Sequence, residues 1–216
     1  MYFLNEDLEH YIESHSGDEP GLLKELARET HLKVLQPRML SGHLQGRFLS
    51  LLSKLARPKA ILEIGTYTGY SAICLAEGLR EEGILHTIDN NKELYNMQRR
   101  YFDKSGFGEK IIQHTGNALD IIPKLNLKFD MVFIDADKVN YANYFDLVME
   151  KMSKGGLIIS DNVLWSGKVL EKGTSEDKNT EALKAYNKKL KKDNRIETLI
   201  LPLRDGLALS KLKTGV

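Results

Sequence analysis

The sequence predicts an α/β fold: a doubly wound, mostly parallel sheet preceded by helices and closed by an antiparallel hairpin. Three observations carry this. From about Asn5 to Ala56 the spacing is helical, and after Pro58 short, nearly continuously apolar runs alternate with helical segments. Strands that are apolar on both sides belong to a parallel sheet covered on both faces. Near the end the alternation stops, and two β-rich runs are joined by a turn at Asp205-Gly206 with no helix between them.

The elements follow in order. "LLKELARETH" and "GRFLSLLSKLA" repeat leucine at three- and four-residue spacing with charges on the opposite face. Pro37 and Gly42 make "LQPRMLSGHLQG" a bent connection. "KAILEIG" is a strand ending in glycine, followed by a helix over "GYSAICLAEGLR". "GILHTIDN" is the next strand, "KELYNMQRRYFDKSG" a helix closed by Gly106, and "KIIQHTG" a third strand. A short helix around "NALDIIPKL" leads to the strand "FDMVFIDAD", the helix "YANYFDLVMEKM" and the strand "GGLIISDN". "RIETLILPLRDGLALSKLK" supplies the hairpin. No repeat, low-complexity tract or linker interrupts the pattern. Residues 1–216 are therefore expected to form one domain, with 1–57 a helical cap and 58–216 the α/β core.

At 216 residues, with 42% hydrophobic and 28% charged, the chain can bury a sizeable core. A net charge of +1 gives no general reason to expect nucleic acid or an anionic membrane as partner. The one cysteine, Cys74, excludes an intramolecular disulfide and suits a reducing compartment. Its place in "GYSAICLAEGL" predicts buried packing. No apolar leader with a cleavage site and no run of membrane length appears, so the expected location is the cytoplasm.

Ligands of open parallel sheets bind beyond the carboxyl ends of the strands. The first strand ends as Glu63-Ile64-Gly65-Thr66-Tyr67-Thr68-Gly69-Tyr70-Ser71, where glycines let the backbone turn and approach a ligand. The next strand ends at Asp89, roughly where a carboxylate takes both ribose hydroxyls of a nucleoside. An acid at a strand end also serves as a turn or cap; the glycine loop before it favours the nucleoside. Glu63 would repel a pyrophosphate, and Tyr67 stands where a dinucleotide loop wants glycine. S-adenosylmethionine, with an ammonium, a sulfonium and no phosphate, suits that charge better than a nicotinamide dinucleotide.

Two later strands end in acids. "FIDADK" presents Asp135, Asp137 and Lys138, and "ISDN" presents Asp161 and Asn162. Asp135, Asp161 and Asn162 would emerge at carboxyl ends of neighbouring strands, on the edge that carries the glycine loop. Such hard oxygen donors suit Mg²⁺ or Ca²⁺ rather than zinc. Caps and turns account for Asp and Asn equally well at each motif alone. A phosphotransfer Asp-x-Asp site would leave the glycine loop and Asp89 unexplained.

Together, "LEIGTYTGYS", "FIDADKVNY", "ISDNVLWSG" and "RDGLALSK" resemble the cation-dependent O-methyltransferases of the catechol and caffeoyl-CoA type, over essentially the whole chain. The resemblance implies a Rossmann-like methyltransferase sheet and S-adenosylmethionine as cofactor. Glu63, Gly65, Thr66, Gly69 and Tyr70 would border it, Ser71 would contact its methionine end, and Asp89 would hold the ribose. Ala118 would meet the adenine, while Met39 and Ser41 would close over the methionine part. Asp135, also beside the cofactor, would hold Mg²⁺ (or Ca²⁺ or Mn²⁺) with Asp161 and Asn162, and Lys138 would be the general base. Arg38, Asp137, Lys138 and Trp165 would line the acceptor. A homodimer is implied too.

The chemistry agrees. Two vicinal phenolic oxygens on a dication lose a proton more readily. A lysine near that dication and a sulfonium is disfavoured in its charged form and so can accept the proton. In-line methyl transfer then needs chiefly proximity and alignment. There are departures. Animal catechol enzymes carry an acid in the penultimate strand, where "ETLILPL" is apolar, and a tryptophan beside the lysine, where this chain has Asp137. "DADK" and "DNxLWxG" are shared with the plant type, but no basic cluster marks a coenzyme A site. The expected acceptor is a catechol-type diol such as caffeic or protocatechuic acid, or a caffeoyl-CoA-like ester. The alternatives are a hydroxylated tRNA wobble uridine, with "KAYNKKLKKDNR" as the phosphate-binding stretch, and a catalytically silent cofactor-binding module.

Overall fold

The structure, a computed structural model, describes residues 6–173 and 176–214. The expected helical start at Asn5 lies outside the described residues. The chain divides into two compact units, Leu4–Asn117 and a unit running from Ala118 to Val216.

The first unit holds α1 (Glu6–Ser14), α2 (Gly21–Lys33), a 3₁₀ turn at Pro37–Met39, and α3 (Gly42–Ala56). There follow β1 (Ala60–Ile64), α4 (Tyr70–Ala76), β2 (Ile84–Asp89), α5 (Tyr95–Lys104) and β3 (Ile111–Thr115). The strands run parallel with β2 central, pairing Ile64 with Ile88 and Asp89 with Thr115. Every residue of β1 and of α4 is buried, as the continuous apolar runs require. The bend expected at Pro37 and Gly42 is the 3₁₀ turn, and α3 begins at Gly42.

The helix expected through Arg80 ends at Ala76. A Cβ on Gly78 would lie 2.1 Å from the backbone carbon of Ser53, so the segment leaving α4 meets α3 at backbone contact. Glu77 is gripped there by the two terminal nitrogens of Arg47 (2.8 and 3.1 Å), by Ser50 at 2.6 Å and by Lys54 at 2.7 Å. Burial pushes the Glu77 carboxyl up, but these donors outweigh it and hold it at about 2. Cys74 is fully buried, and burial pushes its thiol up to about 12, so the sequence expectation of packing holds.

The second unit holds α6 (Ala118–Ile121), β4 (Phe129–Ile134), α7 (Tyr141–Met149), β5 (Met152–Ser160), α8 (Lys178–Lys192), β6 (Ile196–Leu201) and β7 (Leu207–Leu212). β4 and β5 are parallel; β7 pairs antiparallel with both β5 and β6, giving the expected terminal hairpin. Strand β5 starts at Met152 rather than Gly155, with an irregularity in its register between Phe129 and Met131. Helix α8 buries Thr180, Leu183, Tyr186 and Leu190 and packs on α7. The whole is a mixed α/β fold of seven strands, mostly parallel, as predicted. Among the described residues no helix is long and apolar enough to cross a membrane.

Candidate active site

In the first unit the expected cofactor residues gather around the end of β1. Gly69 has φ 93°, and a Cβ there would lie 2.6 Å from the Phe102 ring, so both conformation and space demand glycine. Tyr67 also takes a positive φ of 49°, with its carbonyl held by Gln98 at 2.7 Å. Asp89, at the end of β2, accepts the backbone N–H groups of Thr66 (3.1 Å) and Tyr67 (2.7 Å) on one oxygen. Its other oxygen accepts from Asn91 N–H at 2.8 Å. The acid that the sequence assigns to a ribose is thus also the brace of the glycine loop.

Glu63 is buried in β1, accepting from Ser71 Oγ at 2.6 Å and from Thr87 Oγ1 at 2.5 Å. Because the Thr87 hydroxyl proton goes to Glu63, the 2.5 Å contact of Thr87 with Thr66 is donated by Thr66. One carboxylate therefore orders hydroxyls at both ends of the loop. Tyr70 is buried, and its hydroxyl donates to Glu19 at 2.5 Å. Gly65 N–H donates to Ile88 at 2.9 Å. Met39 is exposed, Ser41 is buried at the start of α3, and Arg38 is exposed on the 3₁₀ turn between them and α2.

In the second unit, β4 and β5 set the acid tips side by side. Ile134 pairs with Ser160, so Asp135 and Asp161 follow at matched positions, and Asp161 N–H donates to Ile134 at 2.9 Å. Asp161 is buried, and its Oδ1 accepts from Asn162 N–H at 2.6 Å; Asn162 has φ 58°. Lys138 is buried, bonded to Asp135 Oδ1 at 3.0 Å and to Tyr141 Oη at 2.8 Å. Tyr141 passes its own proton to the carbonyl of Asp161 at 3.0 Å. Full burial, then the nearby Asp135 and Asp161 carboxylates, hold its phenol well above its ordinary value. Asp137 is exposed and bonded by Tyr144 Oη and by Asn140 Nδ2. Ala118 is buried at the start of α6.

Trp165 sits on a left-handed stretch: its φ is 47°, that of Ser166 51° and that of Gly167 82°. Its indole N–H donates to Asp177 Oδ2 at 3.1 Å, and that bond is the largest of the effects holding the Asp177 carboxyl at about 2. Asp205 in the hairpin turn accepts the Ser166 N–H through its side chain and the Leu164 N–H through its carbonyl.

The structure therefore brings Asp135, Asp161, Asn162, Lys138 and Asp137 together at the ends of β4 and β5, and Glu63, Thr66, Ser71 and Asp89 around the glycine loop. Sequence reasoning missed Tyr141, Tyr144 and Asp177. Only the spacing Lys138-x-x-Tyr141 signalled any of them, since residues three apart share one side of a helical turn. Among the described residues no group of three His, Cys, Asp or Glu side chains gathers as a metal site. The candidate set has two acids and an amide, a hard donor set of the kind Mg²⁺ takes.

A Gly-bent loop with a buried acid before it and a second acid at the next strand end defines a nucleoside-binding α/β protein. The family model for O-methyltransferases matches residues 13–213. A caffeoyl-CoA O-methyltransferase from Petroselinum crispum is 36% identical over 204 residues, covering 89% of this chain and 84% of that one. A catechol O-methyltransferase from Niastella koreensis is 33% identical over 217 residues, covering 96% and 97%. Among solved structures, the O-methyltransferase TomG from Streptomyces achromogenes in complex with SAM superposes with a TM-score of 0.88 at 28% identity, covering 96% of each chain. An O-methyltransferase from Bacillus cereus in complex with SAH gives 0.89 at 28%, covering 96% and 97%. The chain belongs to the O-methyltransferase family; it is an S-adenosylmethionine-dependent O-methyltransferase of the caffeoyl-CoA and catechol type.

Proposed function

We propose that this enzyme methylates one hydroxyl of a vicinal aromatic diol and requires a divalent cation, Mg²⁺ in the first instance. The observation that carries the proposal is the matched placement of Asp135 and Asp161 at the tips of β4 and β5, with buried Lys138 bonded to Asp135 at 3.0 Å. Asp135, Asp161 and Asn162 would hold the cation, which makes a chelated diol more acidic. Lys138 Nζ takes the proton leaving the hydroxyl, and Tyr141 and Asp135 hold that nitrogen in place. In the first unit Glu63, Gly65, Thr66, Gly69, Tyr70, Ser71 and Asp89 order the cofactor loop, with Met39 and Ser41 adding cofactor contacts. In the second unit Asp137 and Trp165 contact the acceptor ring and its substituents.

Two relatives, a caffeoyl-CoA and a catechol O-methyltransferase by name, support this acceptor class. Half of the six cations in the basic stretch are engaged within the protein, Lys184 with Glu181, Lys189 with Asp146 and Arg195 with Asp193, which weakens the case for an RNA acceptor. The same proposal makes the protein a homodimer, supported by the exposed Leu51 and Leu55 on α3, and places it in the cytoplasm, where its single buried cysteine is at home.

The test is methyl transfer from S-adenosylmethionine to catechol, caffeate and transfer RNA, each with chelator and after Mg²⁺ is restored. Chelator-sensitive transfer to the diols is the expected result. Transfer to RNA alone, or turnover indifferent to chelator, would overturn it.

A further inference from the structure

The loop that carries Trp165 is held unusually hard for a surface segment. Three consecutive residues occupy the left-handed region, two of them not glycine, and such backbone persists only where its surroundings over-determine it. The restraints come from the hairpin turn, where Asp205 accepts the Ser166 and Leu164 N–H groups, and from helix α8. Tyr186 shares a 2.6 Å hydrogen bond with Ser160, next to Asp161, and both are buried. One residue on, Asn187 Nδ2 donates to the Val163 carbonyl at 2.8 Å. At the helix start, Asp177 accepts the Trp165 indole N–H at 3.1 Å.

Asp177 is well placed to transmit that rigidity. Its Oδ1 caps the helix by accepting from Asn179 N–H at 3.0 Å, and its Oδ2 accepts the Thr180 hydroxyl at 2.9 Å. Lys168 Nζ lies 3.5 Å from the same oxygen. The carboxylate is thus fixed by the helix before it meets the indole, so the polar edge of the ring is held by a rigid element.

We propose that Asp177 is a positioning residue for the acceptor site: by fixing the Trp165 indole to the start of α8, it sets the wall against which the acceptor ring packs. The part concerning the acceptor rests on the proposed function above; the hold on the indole does not. Trp165 is the only tryptophan in the chain, so its fluorescence reports this one contact.

The experiment uses the full-length protein with Asp177→Ser, which keeps a capping oxygen but cannot reach the indole. Without any acceptor, Asp177→Ser should shift the emission to the red and raise acrylamide quenching about twofold. With catechol, Asp177→Ser should raise KM about tenfold and leave kcat within twofold, the loss expected for one hydrogen bond to a charged acceptor. Unchanged emission and quenching in Asp177→Ser would overturn the hold on the indole. Altered emission with unchanged KM would overturn the role at the acceptor site. Should Asp177→Ser fail to fold, Trp165→Phe removes the indole N–H and leaves the helix cap; it must show the same rise in KM, and an unchanged KM refutes the proposal. If both variants fold, combining them should add nothing to the single effects. A wild-type protein that does not methylate catechol sinks the proposed acceptor, while the emission measurements still decide what Asp177 does.

Discussion

Lys138 donates to the Tyr141 phenol at 2.8 Å, and both side chains are buried. Tyr141 in turn donates to the Asp161 carbonyl, so the residue proposed as base is fastened to the backbone of a residue proposed as metal ligand. Tyr141→Phe should therefore lower kcat by about tenfold or more, since the nitrogen loses one of its two anchors and a buried carbonyl loses a donor worth about 1–3 kcal/mol. Lys138→Ala should lower kcat by at least about a hundredfold, the range for a general base. Both variants should bind S-adenosylmethionine as the wild type does. Steady-state kinetics beside calorimetry checks this; equal kcat in Tyr141→Phe and wild type would detach Tyr141 from the reaction.

A second prediction separates cofactor from cation. Asp161→Ala should abolish chelator-sensitive turnover while cofactor affinity stays within about twofold. Asp89→Ala leaves the N–H groups of Thr66, Tyr67 and Asn91 without their acceptor and should lose most cofactor affinity. Titration calorimetry on the two variants decides it. A similar loss of cofactor binding in both would sink the division of roles.

The third concerns acid. His86 and His114 face each other across β2 and β3, with ring nitrogens 2.8 Å apart. Burial first, then the charge of His114, brings His86 down to about 4, and burial lowers His114 as well. The folded state thus binds fewer protons than the unfolded one below the ordinary histidine value of about 6.5. The contribution is intact above that pH and is lost as pH falls through the window from about 6.5 to 4. At about 1.4 kcal/mol per unit, His86 accounts for up to about 3 kcal/mol. Glu29 and Glu77, both held at about 2, lose their contribution only below the ordinary carboxylate range. Melting temperatures between pH 5 and 6.5 therefore isolate the histidines, and His86→Gln should flatten the slope there. An unchanged slope would show that the pair is not responsible.

How much of this was legible in the sequence depended on whether the signal was local. Strands β1, β2 and β4 announced themselves because burial on both faces requires continuous apolar runs. Asp89, Asp135 and Asp161 were visible as acids closing such runs. The end of α4 was not visible, because it is set by backbone contact of Gly78 with Ser53, distant in the chain. The left-handed Trp165 and Ser166 were equally silent, since neither residue type favours that region. Asp177 drew no reading from the sequence, because its partner Trp165 is brought to it only by the fold.

The last prediction concerns the relay behind the cofactor loop. Thr66 donates to Thr87, Thr87 to Glu63, and Ser71 to the other Glu63 oxygen. All four side chains are buried, so each lost hydrogen bond leaves a polar atom away from water. Thr87→Val keeps the shape and removes one hydroxyl that serves two partners. It should destabilise the protein by about 2 kcal/mol, because the Thr66 hydroxyl loses its acceptor and Glu63 loses one of its donors. The glycine loop then loses the restraint at Thr66 while Ser71 keeps its own, so cofactor affinity should fall by about tenfold and kcat at saturating cofactor should hold. Thr87→Ser, which retains the hydroxyl, should recover the affinity even if it remains less stable through the missing methyl. Calorimetry and thermal melts on the two variants separate these effects. Equal cofactor affinity in Thr87→Val and wild type would show that the loop is ordered without the relay, by the Asp89 brace alone.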